Sequence, residues 1–527
     1  METAFSRSAE NAEMANEGLT RSQRLVDDWL DQTDPRTGLI PRNLWESGDQ
    51  SEIWNPKDAA ADNFPFLYLT AHFTDPALSE GRMLDMLFTE TALTSRVDRI
   101  PDVYSFRKQD FLHDDPDPDR IIFGAAEYIK DGLIVMTELL GPGPWHSRMA
   151  GILDDMLYHM SDGPVLFDTF DEVVNMEING ELLQVLSRVY WMTEDDKYLD
   201  FALQIADYYL LGDHHPTRDF DRLRLRDHGG EIVSGLTELY ATLHYANSEK
   251  AQRYREPLHE MLDRILEAGS NEDGMLYNEF NPQTGEILDQ RLADTWGYVL
   301  NGHYTVYLLD GIDAYREAAI TALENVIQYQ QYNWESGSAD GDADVVEGAL
   351  YLYNREPVPD AAEWMDRQMA IMWSKQDSAQ GRERPEGKWR QRGVVEGWHG
   401  DGNFARTSLM HALWKSQGTS IRPWREDILL GAVMEENDLI ISVSATDDWT
   451  GRLVFDRQRH RDYLNLPLDW PRLNSFSEWF TADPDRQYAV NDLSTGQEVN
   501  YSGAELHEGI RIRMDAGEEK RYIVRAL

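Results

Sequence analysis

The stretch "GGEIVSGLTELYATLHYA", residues 229–246, reads as a helix with a polar start and an apolar body. Glu231 stands in its first turn, and the residues that follow are apolar on nearly every side. A helix that is apolar all round has no face to leave in water, so protein must cover it on every side. This stretch therefore predicts a fold in which one layer of helices encloses another.

The same layout recurs along the chain at intervals of about 55 residues. Each copy has a start that carries glycine and acidic residues, followed by an apolar helical run. The copies are residues 57–73, 124–141, 175–193, 229–246, 294–311, 344–357 and 400–418. More charged amphipathic segments lie between them, for example 147–162 and 249–269. This alternation favours a mainly α fold, an α/α toroid of six or seven helix pairs in which outer helices surround an inner ring.

The pattern changes near residue 426. Short segments rich in β-branched and aromatic residues follow, such as "DLIISVSAT" (438–446) and "KRYIVRAL" (520–527), and turn signals separate them. We therefore predict two domains: an α/α toroid of residues 1–425 and a small all-β sandwich of residues 426–527.

Acidic residues dominate the composition. The chain has 95 Asp and Glu against 49 Lys and Arg, a formal net charge of −46. A field of this sign repels the phosphates of nucleic acids, so we expect no nucleic-acid partner. The charges also repel one another at low salt, whereas molar salt shortens the screening length to about 3 Å. This composition indicates a protein from a salt-accumulating halophile.

Several other classes of protein lack their sequence signatures here. No run of about 18 apolar residues predicts a membrane span. The first residues lack the apolar segment of a secretory signal, so we expect a cytoplasmic protein. The absence of cysteine excludes disulfides and cysteine chemistry, and zinc-binding and phosphate-binding motifs are missing, so we expect no metal and no cofactor. The pattern predicts no particular oligomeric state.

The candidate site lies where the inner helices begin. Inner helices of a toroid run parallel, so their N-termini meet at one mouth of the ring. Capping explains the Asp, Asn and Glu residues there, but it does not explain the Trp and His residues beside them. We predict substrate contacts, with aromatic rings as sugar platforms, from Asn63, Asn175, His228, Trp296, His303, Tyr304, Trp398, His399, Asp401, Asn403 and Arg406.

The last start, "EGWHGDGNFART" (396–407), should close the ring beside the first. This predicts that Asp62 and Asn63 face Asp401 and Asn403.

The layout resembles the α/α-toroid carbohydrate-active enzymes, namely uronate-directed glycoside hydrolases and polysaccharide lyases. In unsaturated-glucuronyl hydrolases, acids at the starts of inner helices perform catalysis, and Asp62, Glu177, Glu231 and Asp294 occupy such positions. The resemblance implies an oligosaccharide hydrolase. We expect Glu231 and Asp294 to be its catalytic pair, with Asp62 or Glu177 as alternatives. Clustered arginines in so acidic a chain favour an anionic sugar as its substrate.

Two other functions remain open. A lyase would use Tyr304, His303 or His228 as the base that removes a proton from the sugar, and Asn175 or Arg406 to neutralise its carboxylate. A non-catalytic sugar-binding toroid would have only solvated capping acids at the mouth, with no close pair among them.

Overall fold

Helical hairpins come first along the chain and antiparallel strands come last. The computed structural model describes residues 2–43, 52–160, 172–226, 228–379, 382–383, 390–391 and 402–527. Within these ranges, side chains are described except at 172–174, 228, 378–379, 382–383 and 390–391. No helix in the described ranges is both long enough and apolar enough to cross a membrane.

The α-helices of the described residues are α1 Glu2–Asp31, α2 Phe64–Thr74, α3 Pro76–Leu78, α4 Leu84–Thr94, α5 Pro118–Glu127, α6 Ile134–Leu140, α7 Pro144–His159, α8 Glu172–Thr193, α9 Asp196–Ala206, α10 His228–Ala246, α11 Ser248–Ala268, α12 Trp296–Asp310, α13 Asp313–Asn325, α14 Ala339–Arg355, α15 Pro359–Ala379, α16 Asn403–Lys415, α17 Arg459–Asp462 and α18 Gly503–Glu508. Segments of π-helix lie at Pro56–Asn63, Ser79–Met83, Tyr128–Leu133 and Asp207–Leu211, and short 3₁₀ turns lie at Val326–Tyr329 and Trp334–Gly337.

Seven inner helices close into a ring within the described part of the chain. In ring order they are Pro56–Asn63 continued by α2, α5 continued to α6, α8, α10, α12, α14 and α16, and α16 packs back against α2. Outer helices, among them α7, α9, α11, α13 and α15, pack against them from outside, and α1 packs against α16 and α2. The predicted α/α toroid is confirmed, and it has seven inner helices rather than six.

Glycines let neighbouring inner helices approach closely. A Cβ on Gly180 in α8 would lie 2.2 Å from the backbone carbon of Glu231 in α10. A Cβ on Gly402 would lie 2.2 Å from the carbonyl oxygen of Asp62 and 2.6 Å from Cα of Asn63. Real side chains cannot be that close, so only glycine fits at these contacts. The Gly402 contact confirms that the ring closes between its last and first helix starts.

The strands are β1 Ile53–Trp54, β2 Ser95–Val97, β3 Ile100–Pro101, β4 Tyr104–Ser105, β5 Asp110–Phe111, β6 Leu223–Arg224, β7 Tyr277–Phe280, β8 Ile287–Leu292, β9 Arg382–Glu383, β10 Arg390–Gln391, β11 Ser420–Arg422, β12 Ile428–Glu435, β13 Asp438–Ala445, β14 Trp449–Val454, β15 Gln487–Asp492, β16 Gln497–Ser502, β17 Ile510–Met514 and β18 Glu519–Ala526.

Two antiparallel sheets share one apolar core in the C-terminal part. Their strand orders are β12-β13-β18-β15-β16 and β11-β14-β17, and Ile441 and Val524 from the first meet Leu453 and Ile512 from the second. This agrees with the small β-sandwich expected there, while the domain boundary at residue 426 stays a prediction.

Helix α1 contacts both parts of the molecule. Near its start, Phe5 packs against Val433 and Ile440 of the five-stranded sheet. Further along, Leu25 and Trp29 belong to the core of the toroid. Helix α1 therefore packs against both the five-stranded sheet and the ring of helices.

Candidate active site

A cavity of about 310 Å³ opens where the inner helices begin. All seven inner helices or the loops just before them contribute to it. The lining residues are Lys57, Asp58, Asp62, Glu127, Lys130, Asp131, Glu177, Glu181, Glu231, Thr295, Tyr298, Glu335, Asp340, Asp344, Asn403, Arg406 and Asn474. Of the predicted site residues, this acidic cavity brings together Asp62, Glu177, Glu231, Asn403 and Arg406.

Three glutamates meet at one side of the acidic cavity. Glu127, Glu177 and Glu181, which we call the carboxylate trio, each place one oxygen within 4.8 Å of the others. All three are buried, with at most 5% of the residue exposed. Carboxylates this close cannot all ionise without strong repulsion. The trio therefore favours a state in which at least one member keeps its proton.

Glu181 is the member best suited to hold that proton. Burial raises the pKa of Glu181 well above its usual range, and the charges of Glu127, Asp131 and Glu177 raise it further. Its Oε2 accepts no hydrogen bond from any described residue. Burial also raises the pKa of Glu127, but the ammonium of Lys57, 2.6 Å away, opposes that shift.

Glu231 lies at the cavity but is held by two donors. Lys130 Nζ donates to its Oε1 at 2.7 Å, and Gln184 Nε2 donates to its Oε2 at 2.6 Å. Lys130 also contacts Asp131 at 2.6 Å. Although burial alone would lower it, these carboxylates raise the pKa of Lys130 above its usual value. Lys130 thus stays charged and fixes Glu231 in place.

Arg406, on α16, reaches the far side of the cavity. Its Nη2 lies 2.6 Å from both Asp344 and Glu347, and its Nη1 donates to Asn403 Oδ1 at 2.9 Å. The hydroxyl of Tyr298 donates to Glu347 at 2.5 Å. Arg406 is therefore already neutralised by carboxylates.

The trio is also one of two described groups with the donor set for a cation. Ca²⁺ takes about six to eight oxygen ligands, so the three oxygens of the trio would need others beside them. The second group is His460, Asp469 and Glu478. There Asp469 already forms ion pairs with Arg355 at 2.6 Å and Arg472 at 2.9 Å. Those arginines occupy the oxygens that a metal would need.

Three aromatic residues of α12 that were predicted as substrate contacts, Trp296, His303 and Tyr304, do not line the acidic cavity. Trp296 and His303 are fully buried. The ring nitrogens of His303 lie 2.9 Å from Val299 O and 3.0 Å from Leu262 O. The hydroxyl of Tyr304 donates to Glu356 at 2.9 Å. These side chains face neighbouring helices. Because α12 is apolar on every side, its sequence does not show which side faces the cavity.

Asp294, Asn63 and Asn175 also lie outside the cavity lining. Asp294 precedes α12 and accepts a hydrogen bond from Arg226 at 3.3 Å, so its catalytic pairing with Glu231 stays a prediction from the sequence. Asn175 accepts a hydrogen bond from Tyr209 at 2.6 Å. Asn63 is fully buried beneath Gly402.

Four of the predicted contacts fall on residues or side chains that the structure does not describe. Trp398, His399 and Asp401 lie outside the described residues, and the side chain of His228 does too.

Lys130 and Glu181 were not predicted as site residues from the sequence; Glu127 was expected near the mouth, without a role. A signal for Glu181 was available, because it follows Glu177 by four residues and so shares its helix face. Lys130 is the single basic residue of the inner run at 124–141. Burying such a charge requires carboxylate partners.

Comparisons with known proteins return distant likenesses of fold. No protein-family model and no curated protein matches the sequence. Among solved structures, an α-1,6-mannanase from Salegentibacter sp. HEL1_6 is 14% identical at a TM-score of 0.39, covering 55% of this chain and 88% of its own. Unsaturated glucuronyl hydrolase from Bacillus sp. GL1 is 13% identical, with a TM-score of 0.36, and the match covers 58% of this chain and 88% of that protein. A family 76 glycoside hydrolase (mannosidase) from Bacteroides thetaiotaomicron VPI-5482 is 12% identical, with a TM-score of 0.40, and the match covers 77% of this chain and 99% of that protein.

Proposed function

We propose that the protein is a glycoside hydrolase that cleaves oligosaccharides in the acidic cavity. The observation that carries this proposal is the buried carboxylate trio. Glycoside hydrolysis needs one protonated carboxyl and one ionised carboxylate near the same bond. Environments that push the pKa values of neighbouring acids apart provide such a pair. Glu181 is our proton donor, and Glu177 is our second carboxylate.

The separation within the trio supports a retaining mechanism. Carboxyl groups of retaining enzymes lie about 5–5.5 Å apart, and those of inverting enzymes about 6.5–9.5 Å apart. One oxygen of each trio member lies within 4.8 Å of one oxygen of the others, and on that closeness we propose retention rather than inversion. In the first step, Glu181 protonates the glycosidic oxygen as its bond to the anomeric carbon breaks, and Glu177 bonds to that carbon. In the second, ionised Glu181 takes a proton from water, which displaces Glu177.

Glu231 has a positioning role in this proposal. Its hydrogen bond to Lys130 keeps that cation beside the trio, and Lys130 opposes the rise in the pKa of Glu181. Loss of Glu231 would therefore change how the trio shares its protons. Asp62, which also lines the cavity, stays an alternative for the second carboxylate.

The two competing functions have less support. No described residue lining the acidic cavity is a histidine. Burial and the charges of Asp344 and Glu347 raise the pKa of Tyr298 well above its usual range, which makes it a poor base for a lyase. A purely sugar-binding toroid predicts solvated acids without a close pair, whereas the trio is buried and close.

The charge of the cavity favours a neutral sugar. Its described cations, Lys57, Lys130 and Arg406, each contact a carboxylate within 2.7 Å. None is left to bind a uronate, and the other acids would repel one. An anionic substrate in this cavity stays a prediction from the sequence, and we propose a neutral oligosaccharide in its place.

The test is a screen of neutral and uronate oligosaccharides for newly formed reducing ends. Absorbance of unsaturated uronates, recorded in parallel, would reveal a lyase. Glu181→Gln and Glu177→Gln should each lower the rate by about 10²–10⁴-fold, because each removes a proton-transfer or nucleophilic group.

Glu238→Gln is the matched control for that screen. Glu238 is a buried glutamate of α10 that pairs with Arg188 at 2.6 Å and does not line the acidic cavity. The hydrolysis rate of the Glu238→Gln variant, per folded molecule, should stay near that of the wild type. Equal losses in all three variants would refute the assignment.

A further inference from the structure

The three-stranded sheet carries a row of arginines. In its register, Arg422 of β11 lies opposite Arg452 of β14, and Arg452 lies opposite Arg511 of β17. Residues directly opposite each other share a face of the sheet. Adjacent strands lie about 4.8 Å apart, so the three arginines stand side by side on one face.

This face points outward. The adjacent row of the same register, Ile421, Leu453 and Ile510, is buried in the core on the other side. Arg422 and Arg511 are exposed, and Arg452 is partly so. Arg513, two residues after Arg511, belongs to the same face, and 82% of its side chain is exposed. We call Arg422, Arg452, Arg511 and Arg513 the arginine face.

Carboxylates do not neutralise the arginine face as they do elsewhere. Among the described residues, Arg422, Arg452 and Arg511 form no ion pair, although the charge of Glu80 acts on Arg422 from farther away, and Arg513 has only Asp515 at 3.9 Å. Arg452 donates instead to the carbonyl oxygens of Glu508 and Gly509. Like charges placed opposite each other destabilise a sheet. In a chain with 95 acidic and 49 basic residues, a row of arginines without close carboxylate partners could accept an anionic ligand.

A cavity of about 260 Å³ adjoins the β11 edge of this face. Arg422 and Arg457 line it together with His72 and His507. Arg422 Nη2 lies 3.1 Å from His72 Nε2, and burial together with that arginine lowers the pKa of His72 to about 4. Its acidic lining residue, Asp456, already accepts hydrogen bonds from Arg459.

We infer that the arginine face and this cavity bind an anionic oligosaccharide, one with carboxylate or sulfate groups on successive sugars. Guanidinium groups recognise such oxyanions through paired hydrogen bonds. A row of cations suits a ligand with repeated anions, and the cavity can take its terminal group. A nucleic acid is the less favoured occupant, because the net charge of −46 repels a long polyphosphate at a distance. The surface is separate from the acidic cavity and does not depend on the hydrolase proposal.

The experiment is calorimetric titration of the full chain with tetragalacturonate and with maltotetraose, a neutral tetrasaccharide. Molar KCl leaves only short-range contacts, since the screening length is then about 3 Å. The wild type should bind the uronate and not the neutral sugar. The double variant Arg422→Gln/Arg511→Gln should bind the uronate about tenfold more weakly or worse, since each lost charged hydrogen bond weakens binding about that much.

Arg486→Gln is the matched control, because Arg486 is exposed beside the other sheet. Among the described residues, its side chain donates a hydrogen bond only to the backbone oxygen of Leu527, at 3.4 Å. It should bind the uronate as the wild type does. If the double variant fails to fold, Arg511→Gln alone must weaken binding. The inference would be overturned if the folded variants bound the uronate as tightly as the wild type, or if the neutral sugar bound equally well. It would also be overturned if the wild type bound a single-stranded DNA more tightly than the uronate and the double variant lost that binding. Glu181→Gln should bind normally, which separates this inference from the hydrolase proposal.

Discussion

At Glu181 the protein buries a carboxyl group beside two others without giving both of its oxygens a partner. A fold under selection for stability alone would place an apolar or amide side chain there, because burial and repulsion both penalise the ionised acid. Arg188 and Glu238 show the contrasting arrangement on neighbouring helices, a buried pair in contact at 2.6 Å. Strain of this kind is typical of residues kept for chemistry.

The raised pKa of Glu181 makes a prediction about stability. The folded state holds this proton at pH values where the unfolded chain has already released it. Stability is therefore lost as pH rises from the unfolded pKa, about 4.3, towards the folded one. Glutamine imitates the protonated acid, so Glu181→Gln should raise the melting temperature at pH 8 by about 2 °C or more. The gain should shrink towards pH 5.

Glu238→Gln is the control in these melts. It removes the nearer carboxylate partner of the buried Arg188 and leaves only Glu138, at 3.7 Å, so it should destabilise the fold by up to about 3–5 kcal/mol. A Glu181→Gln variant that melts lower than the wild type at pH 8 would show that Glu181 is ionised and paired.

Residue roles were only partly readable from the sequence. Asp62, Glu177 and Glu231, chosen as acids near the starts of inner helices, line the acidic cavity. Asp294 does not line the cavity, and it pairs instead with Arg226 from the loop before α10. A contact between two loops leaves no local pattern in the sequence. A residue type and its spacing indicate which helix carries a group, but not which partner satisfies it.

At the scale of elements, close helix contacts set the position of the site. A Cβ on Gly235 of α10 would lie 2.4 Å from Gly180 O of α8, whereas one on Gly230 would meet nothing nearer than 3.4 Å. Gly235→Ala should therefore destabilise the fold by about 1–3 kcal/mol. It should also lower activity, since it displaces the helix that carries Glu231. Denaturant unfolding and the rate of the folded fraction measure both effects.

Gly230→Ala provides the matched control on the same helix. Its new methyl group has room, and alanine favours a helix over glycine by up to about 1 kcal/mol. Stability equal to or above that of the wild type is expected. If both variants were tolerated alike, α8 and α10 would not be in the close contact described.

The element pattern was the most predictable level of the structure. Seven polar starts with apolar runs correspond to the seven inner helices, because enclosure on all sides leaves a clear apolar signal. The same signal hides orientation: in α12, Trp296, His303 and Tyr304 look equally suited to face the cavity or a neighbouring helix. The π-helical segments at Pro56–Asn63 and Tyr128–Leu133, which carry Asp58, Asp62 and Lys130 to the cavity, had no sequence signature.

For the whole molecule, charge is the dominant property. A net charge of −46 should make the compact state depend on salt, and we propose that the protein works in a salt-rich cell. The melting temperature should rise as KCl increases from about 0.1 M to above 1 M, because the screening length falls from about 10 Å to about 3 Å. Sucrose at equal osmolality is the control, since it is excluded from the protein surface but does not screen charges. Full stability and activity at low salt would contradict this proposal.

The central claim, that Glu181 donates a proton to the leaving sugar, is tested most directly by changing the leaving group. kcat/KM is measured for the wild type and Glu181→Gln on a good oligosaccharide substrate and on the matching dinitrophenyl glycoside. A dinitrophenolate leaves without protonation, whereas a sugar alkoxide needs the proton. We expect the variant to lose about 10²–10⁴-fold on the oligosaccharide and far less on the dinitrophenyl glycoside. An equal loss on both substrates, or no loss on either, would contradict the claim.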